Sequence, residues 1–363
     1  MAVLQQMKRR ESSRRALITG VAGQDGSFLA ELLLENGYEV FGTVRDRTVD
    51  RFENLEAIRD RVELVRADLL DQRSLVEVLE TCRPHEVYNL ASVSFVPRSW
   101  VEPVRTAQFA AIGVTSMLES IREVDPGIRF YQASSSEIFG EPLEVPQNES
   151  TPLSPVTPYG VAKAYGHFMV RSYRRRYGLH ASSGILYNHE SWRRPVEFVP
   201  RKISRSVAAI SLGLEEELSL GSLDAKRDWG FAGDYVRAMH LMLQHPAADD
   251  YVISSGVAHS VGDLVEWAFQ HVGLDWRAHV RVEESLKRGA AELHDLVGDA
   301  SKARSVLGWR PSVRLEELVC AMVEEDLKRL EPLAAPRTAQ ASRDPLSLVR
   351  RRTDVPSWMR EEA

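Results

Sequence analysis

Cysteine is scarce in this chain: two among 363 residues, Cys82 and Cys320, far apart and without the spacing of metal ligands. That pattern is no disulfide framework and suits a reducing cytosol, so a cytoplasmic protein without a metal site is expected. Long apolar runs are missing too. No stretch reaches the roughly 18 apolar residues that a membrane helix needs, and no membrane association is expected. Nor is positive charge in excess. Forty-six Lys and Arg against 52 Asp and Glu leave a net charge of −6, which excludes a global basic field for nucleic acid. The first fifteen residues are locally basic (Lys8, Arg9, Arg10, Arg14, Arg15), but no apolar core follows that would make them a signal peptide. No internal repeat is visible.

What is present is a regular alternation of short apolar runs and amphipathic stretches. Arg15–Thr19 (RALIT) reads as a strand and leads directly into Gly20-Val-Ala-Gly23-Gln24-Asp25-Gly26, after which SFLAELLLENG reads as a helix closed by Gly37. Strand, glycine turn and helix come in the order of a dinucleotide site. The glycines permit a tight turn and a close backbone approach, and the helix N-terminus meets the pyrophosphate charge. Gly20, Gly23, Gln24, Asp25 and Gly26 are therefore candidate cofactor contacts. Further strands are expected at 38–44, 62–68, 85–92, 128–134 and 179–188, with helices at 71–82, around 105–123 and from Pro158. The pattern predicts an α/β protein, a doubly wound parallel Rossmann-type sheet with a smaller C-terminal substrate-binding lobe. The expected division is a basic extension over 1–14 and a dinucleotide-binding domain with the catalytic residues over 15–188. A substrate lobe interleaved with the sheet follows over 189–330, and a flexible tail over 331–363.

The end of the second strand, FGTVRDR, bears on which nicotinamide cofactor is held. An acidic residue there holds a ribose 2′-hydroxyl, whereas an Arg accommodates a 2′-phosphate. Arg45, with Arg47 assisting, argues for NADP, and Asp46 keeps NAD as the alternative. Asp68 and Leu69 are placed for the adenine. Leu90, Ala91 and Ser92 are placed for the far ribose and the pyrophosphate.

The chemistry is concentrated in Tyr131–Lys163. Ser135, Ser136 and Glu137 follow the fifth strand, and Tyr159 and Lys163 stand four apart, on one face of a helix starting near Pro158. A phenol has a reference pKa of about 10 and is a poor base, but a nearby ammonium favours the phenolate, which can then take a proton from an alcohol. Ser135 can hydrogen-bond the same alcohol. Asn188 ends the sixth strand at the edge where such sheets bind ligands. His189 has no metal partners at ligand spacing and reads as structural.

These motifs together resemble the extended short-chain dehydrogenase/reductase superfamily of nucleotide-sugar enzymes. Within it, GVAGQDGSFLAELLLENGYEV, YQASSSEIFG, VTPYGVAK, GILYNHES, RKISRSVA and LGSLDAKRDWGFAGDYVRAM are similar, nearly word for word, to the GDP-mannose 4,6-dehydratases. The resemblance covers about residues 15–330. It implies an intramolecular redox reaction with tightly held NADP that makes GDP-4-keto-6-deoxymannose from GDP-mannose, in a homodimer or homotetramer. It makes Ser135 the counterpart of a usual Thr, Glu137 the acid/base, and Tyr159 with Lys163 the oxidising pair. It assigns Ser94, Asn188, Val199, Lys202, Leu220, Arg227, Arg288 and Glu292 to the nucleotide sugar. Three departures stand out: Pro195 replaces a glycine after the Arg193–Arg194 pair, RGAAELHD shifts or loses an Arg near Arg288, and AQFAAIGVT lacks a usual Asp. The first two touch the substrate pocket. They keep open a dehydratase of a related sugar nucleotide, such as a GDP-heptose, or a C4-epimerase.

Overall fold

A computed structural model of the protein describes residues 13–45, 52–286 and 296–334. Asp46, Arg47, Arg288, Glu292, most of the basic extension and almost all of the expected tail lie outside the described residues. Six strands follow the alternation expected from the sequence: β1 (Arg15–Thr19), β2 (Glu39–Val44), β3 (Val62–Arg66), β4 (Glu86–Asn89), β5 (Arg129–Ala133) and β6 (Ala181–Leu186). After them come β7 (Asn188–Glu190), β8 (Leu218–Leu220), β9 (Lys226–Phe231), β10 (Asp250–Ile253), β11 (Ala258–Ser260) and β12 (Val280–Val282). The main sheet is parallel and runs β10-β6-β5-β4-β1-β2-β3. Its strand order reverses between β1 and β4, and a ligand crevice is expected there, beyond the strand carboxyl ends.

Why the strands read as continuous apolar runs is plain from burial. Ala16 and Ile18 join one core with Phe28 and Leu33 of α1 (Gln24–Glu35), while Leu17 joins another with Leu75 and Leu79 of α2 (Gln72–Cys82). Both faces are covered along the inner strands β1, β4, β5 and β6, whereas the outer strands β2 and β3 alternate in burial. The second core also takes Val114 and Leu118 from α3 (Gly113–Val124) and Val170 from α4 (Pro158–Tyr177). The sequence predicts one helix near 105–123; the structure instead winds Gln108–Ile112 as a single π-helical turn ahead of α3.

The sheet also has a seventh strand, β10, contributed by the chain beyond residue 188 and paired to β6. Its apolar run is too short to announce itself. The chain beyond β7 also holds α5 (Val199–Ser211), α6 (Ala232–Gln244), α7 (Val261–His271) and α8 (Leu315–Leu330), with α6 returning to pack on α1. A three-stranded sheet, β11-β9-β7, joins lobe to main sheet. Among the described residues no helix is long and apolar enough to cross a membrane.

Candidate active site

A cleft of about 660 Å³ opens at the carboxyl ends of β1, β4, β5 and β6. One wall is the glycine turn. Gly20 sits at φ +71°, in the left-handed region, and a Cβ there would stand 3.0 Å from the Ala91 backbone. A Cβ on Gly26 would lie 2.3 Å from the Gly20 carbonyl oxygen. Positions 20 and 26 therefore have no room for a side chain, and the turn leaves its backbone there open to a ligand. Gly26→Ala should weaken dinucleotide binding by about 2 kcal/mol or more, the scale of overpacking a rigid site; equilibrium dialysis with NADP checks this.

Gly20, Gly23, Gln24, Asp25, Gly26, Leu90, Ala91 and Ser92 all line the cleft. Among the described residues, the buried hydroxyls of Ser92 and Ser134 have no hydrogen-bond partner, as expected of groups that serve a ligand. This cradle of bare backbone and unsatisfied hydroxyls fits a dinucleotide. A side pocket of about 270 Å³ continues it past the ends of β2 and β3, lined by Arg45, Leu69, Arg105 and Phe109. The guanidiniums of Arg45 and Arg105 both lie over the Phe109 ring, 5.6 and 6.0 Å from its centroid. Sequence reasoning missed Arg105 and Phe109, because they come from the helical stretch after β4, Arg105 just ahead of the π-helical turn and Phe109 within it, far along the chain from Arg45. Asp68 does not line either wall: its carboxylate accepts the Leu70 amide hydrogen at 3.0 Å.

The opposite wall carries the reactive groups. The hydroxyl of Thr157 accepts the Gly160 amide hydrogen and Pro158 opens α4, which fixes the entry of the helix that carries Tyr159 and Lys163. Ser135, Glu137, Tyr159 and Lys163 all line the cleft, while Ser136 is buried behind it. Ser135 Oγ accepts the Glu137 amide hydrogen at 3.2 Å. Tyr159 is 7% exposed, and burial pushes its phenol up to about 12, with Ser135 pulling the other way and Glu137 adding to the rise. Lys163 is 4% exposed and burial lowers its ammonium to about 8. Its Nζ donates to the Ala133 carbonyl at 2.8 Å and lies 5.6 Å from the Tyr159 ring centroid. The spacing argument has Lys163 lowering the phenol pKa. The helix does put both on one face, but the end of β5 captures the ammonium and desolvation dominates both groups.

The far end of the cleft is lined by Ser94, Phe95, Asn188, Arg194, Phe198 and Arg227. The Arg194 guanidinium lies 3.6 Å from the Phe198 ring centroid and pairs with Glu190 at 3.2 Å. Val199, Lys202 and Leu220 are not part of the cleft wall: Lys202 Nζ donates to the Ser219 carbonyl at 2.6 Å, and Leu220 is in the core. Beside Arg227, the buried Asp228 carboxylate accepts from the Ser255 and Gly256 amides, the Ser255 hydroxyl and the Gly298 amide. It thus ties β9 to the turn after β10 and to the segment containing Leu296, which also lines the cleft. Among the described residues no cluster of His, Cys, Asp and Glu could hold a metal ion.

The family described as GDP-mannose 4,6 dehydratase matches residues 17–322. The chain belongs to that family. It is 45% identical over 325 residues to GDP-mannose 4,6 dehydratase 1 of Arabidopsis thaliana, covering 86% of this chain and 90% of the relative. It is also 45% identical over 340 residues to GDP-mannose 4,6-dehydratase of Sinorhizobium fredii, covering 87% and 97%. Among solved structures, UDP-glucose 4-epimerase of Thermotoga maritima with UDP-glucose superposes with a TM-score of 0.78 at 26% identity, over 87% of this chain and 99% of that one. Epimerases and dehydratases thus share the architecture of this family. What separates them has to be sought in the side chains after β5.

Proposed function

We propose that the protein converts GDP-mannose to GDP-4-keto-6-deoxymannose, with NADP as its resident cofactor. The observation that carries the reading is that Glu137 shares the cleft wall with Ser135, Tyr159 and Lys163, in a chain of the GDP-mannose 4,6-dehydratase family. Water cannot leave across C5–C6 of a hexose while C4 is an alcohol, because the C5 hydrogen is then not acidic. Gly20–Gly26 and Ser92 would hold the dinucleotide, which would supply a hydride acceptor for C4 and a hydride donor for C6. Tyr159 takes the C4 hydroxyl proton and the Ser135 hydroxyl holds that oxygen. The C5 hydrogen is then α to a ketone, and Glu137 removes it. The same carboxyl, now protonated, gives its proton to the departing C6 hydroxyl, and after hydride addition at C6 the resulting enolate takes a solvent proton at C5. Ser136 lies behind the wall, which leaves Glu137 as the acid.

At the far end, Arg227 and Arg194 provide guanidinium donors suited to a diphosphate. An epimerase needs only the C4 step and has no use for a carboxylate at position 137. Incubation with a panel of GDP-, UDP- and dTDP-sugars tests the proposal: loss of one water from GDP-mannose supports it, and turnover confined to another sugar nucleotide overturns it.

The preference for NADP rests on Arg45 and Arg105, which flank Phe109 where the adenosine ribose would lie. Denatured protein should release NADP(H). Arg45→Ala or Arg105→Ala should each weaken NADP by roughly 1.5–3 kcal/mol, the range for a charge-assisted hydrogen bond, and leave NAD unchanged. Calorimetric titration with both dinucleotides reads the difference.

A further inference from the structure

The first turn of α1 is fastened to the segment after β6. Gln24 Nε2 donates to the His189 carbonyl at 3.1 Å, and Ser191 Oγ donates to Gln24 Oε1 at 2.8 Å. Arg193 donates to Ser27 Oγ at 3.1 Å and to Glu31 at 2.6 Å. The fifth contact, like that of Arg193 with Glu31, brings opposite charges together: His189 Nε2 lies 2.8 Å from Asp25 Oδ2.

The other ring nitrogen, Nδ1, is 2.7 Å from the Tyr187 carbonyl oxygen. A backbone carbonyl has no proton to give, and neither has a carboxylate. Both ring nitrogens must therefore donate, which makes the imidazole a cation. It is 8% exposed and stacks on the Tyr235 ring, with centroids 4.5 Å apart and planes at 22°. Of the other charges that act on this pair, Glu190 and Arg194 are paired with each other, and Lys163 acts on Asp25 from the opposite wall of the cleft. Burial alone would raise the Asp25 carboxyl, yet His189 holds it down to about 2.

Asp25 lies in the glycine turn and lines the cleft beside Gly23 and Gly26. A lone carboxylate there would face the pyrophosphate of any dinucleotide lying along the turn, and it would oppose the positive end of α1. We propose that His189 is a positioning residue of the dinucleotide site, whose charge cancels that of Asp25 and lets the start of α1 present a net positive face to the pyrophosphate. This inference rests on dinucleotide binding at the glycine turn. The remaining contacts hold the turn mechanically whatever the charge of this pair.

Charge cancellation and mechanical clasping predict different mutant patterns. His189→Gln leaves Asp25 only the Gln24 amide as a hydrogen-bond donor and should weaken NADP by about tenfold or more, the scale of one uncancelled charge close to the pyrophosphate. Asp25→Asn, and the double variant Asp25→Asn/His189→Gln, remove the carboxylate and should bind NADP several-fold more tightly than His189→Gln. Calorimetric titration of the full-length protein with NADP and, separately, NAD gives the dissociation constants, and thermal melting establishes that each variant is folded. Equal weakening in all three variants, or none in His189→Gln, overturns the inference. Should His189→Gln fail to fold, the other two decide: tenfold weakening of the double variant overturns it. Wild type that binds neither dinucleotide would overturn the reading of the site itself, a different result.

Discussion

Glu137→Gln should still oxidise C4 of its sugar nucleotide and then stall. Gln keeps the size and hydrogen bonding of the side chain but cannot take the C5 proton, whereas Tyr159 and Lys163 are untouched. Mixed with GDP-mannose, the variant should accumulate the absorbance of reduced nicotinamide while 6-deoxy product falls by about 10² or more, the scale of losing a positioned acid/base. Wild type turning over in D₂O should place deuterium at C5, and a label starting on C4 should finish on C6. Normal turnover by Glu137→Gln, or absence of C5 exchange in wild type, would reject elimination through this carboxylate and favour an epimerase.

The second large effect is at the Tyr159–Lys163 pair, and its sign follows from the two perturbed groups. The phenol must be deprotonated to act, and burial has pushed it up to about 12; the ammonium must be protonated to help, and burial has brought it down to about 8. Below pH 8 the phenolate fraction rises tenfold per pH unit while Lys163 stays charged, so kcat/KM for C4 oxidation should climb. Above about pH 8 the gain in phenolate is matched by loss of ammonium, and the profile should level. Tyr159→Phe should abolish the climb and lower the rate by about 10² to 10⁴. Lys163→Met should remove the levelling, so that the slower rate continues to rise past pH 8. A wild-type profile flat from pH 6 to 9 would show that neither group limits this step.

Much of the fold is legible in the sequence because strands buried on both faces leave apolar runs such as RALIT, and because glycine is the residue that Gly20 and Gly26 demand. The shared helical face of Tyr159 and Lys163 is legible for the same reason: four-residue spacing is local geometry. Other features escape because they depend on where distant segments land. Asp25 and His189 stand far apart in the chain, and nothing local marks either as charged and paired. Arg105 and Phe109 come from the helical stretch after β4, far along the chain from Arg45, and no simple periodicity announces the π-helical turn that holds Phe109. The capture of Lys163 by the Ala133 carbonyl depends on how closely α4 packs on β5, and spacing says nothing of it. β10 is an apolar run too brief to be distinguished from loop.

The position of β10 in the chain also bears on how the protein is made. On the ribosome, β6 emerges well before the segment that closes its outer edge, and α1 emerges long before residues 189–193 fasten its first turn. Until then the nascent chain exposes an unpaired edge of apolar strand, a template for association with other chains. A dinucleotide adds stability only to the form that binds it. With the clasp not yet synthesised the dinucleotide site is incomplete, so stabilisation by the cofactor comes in full only once residues 189–193 have been made.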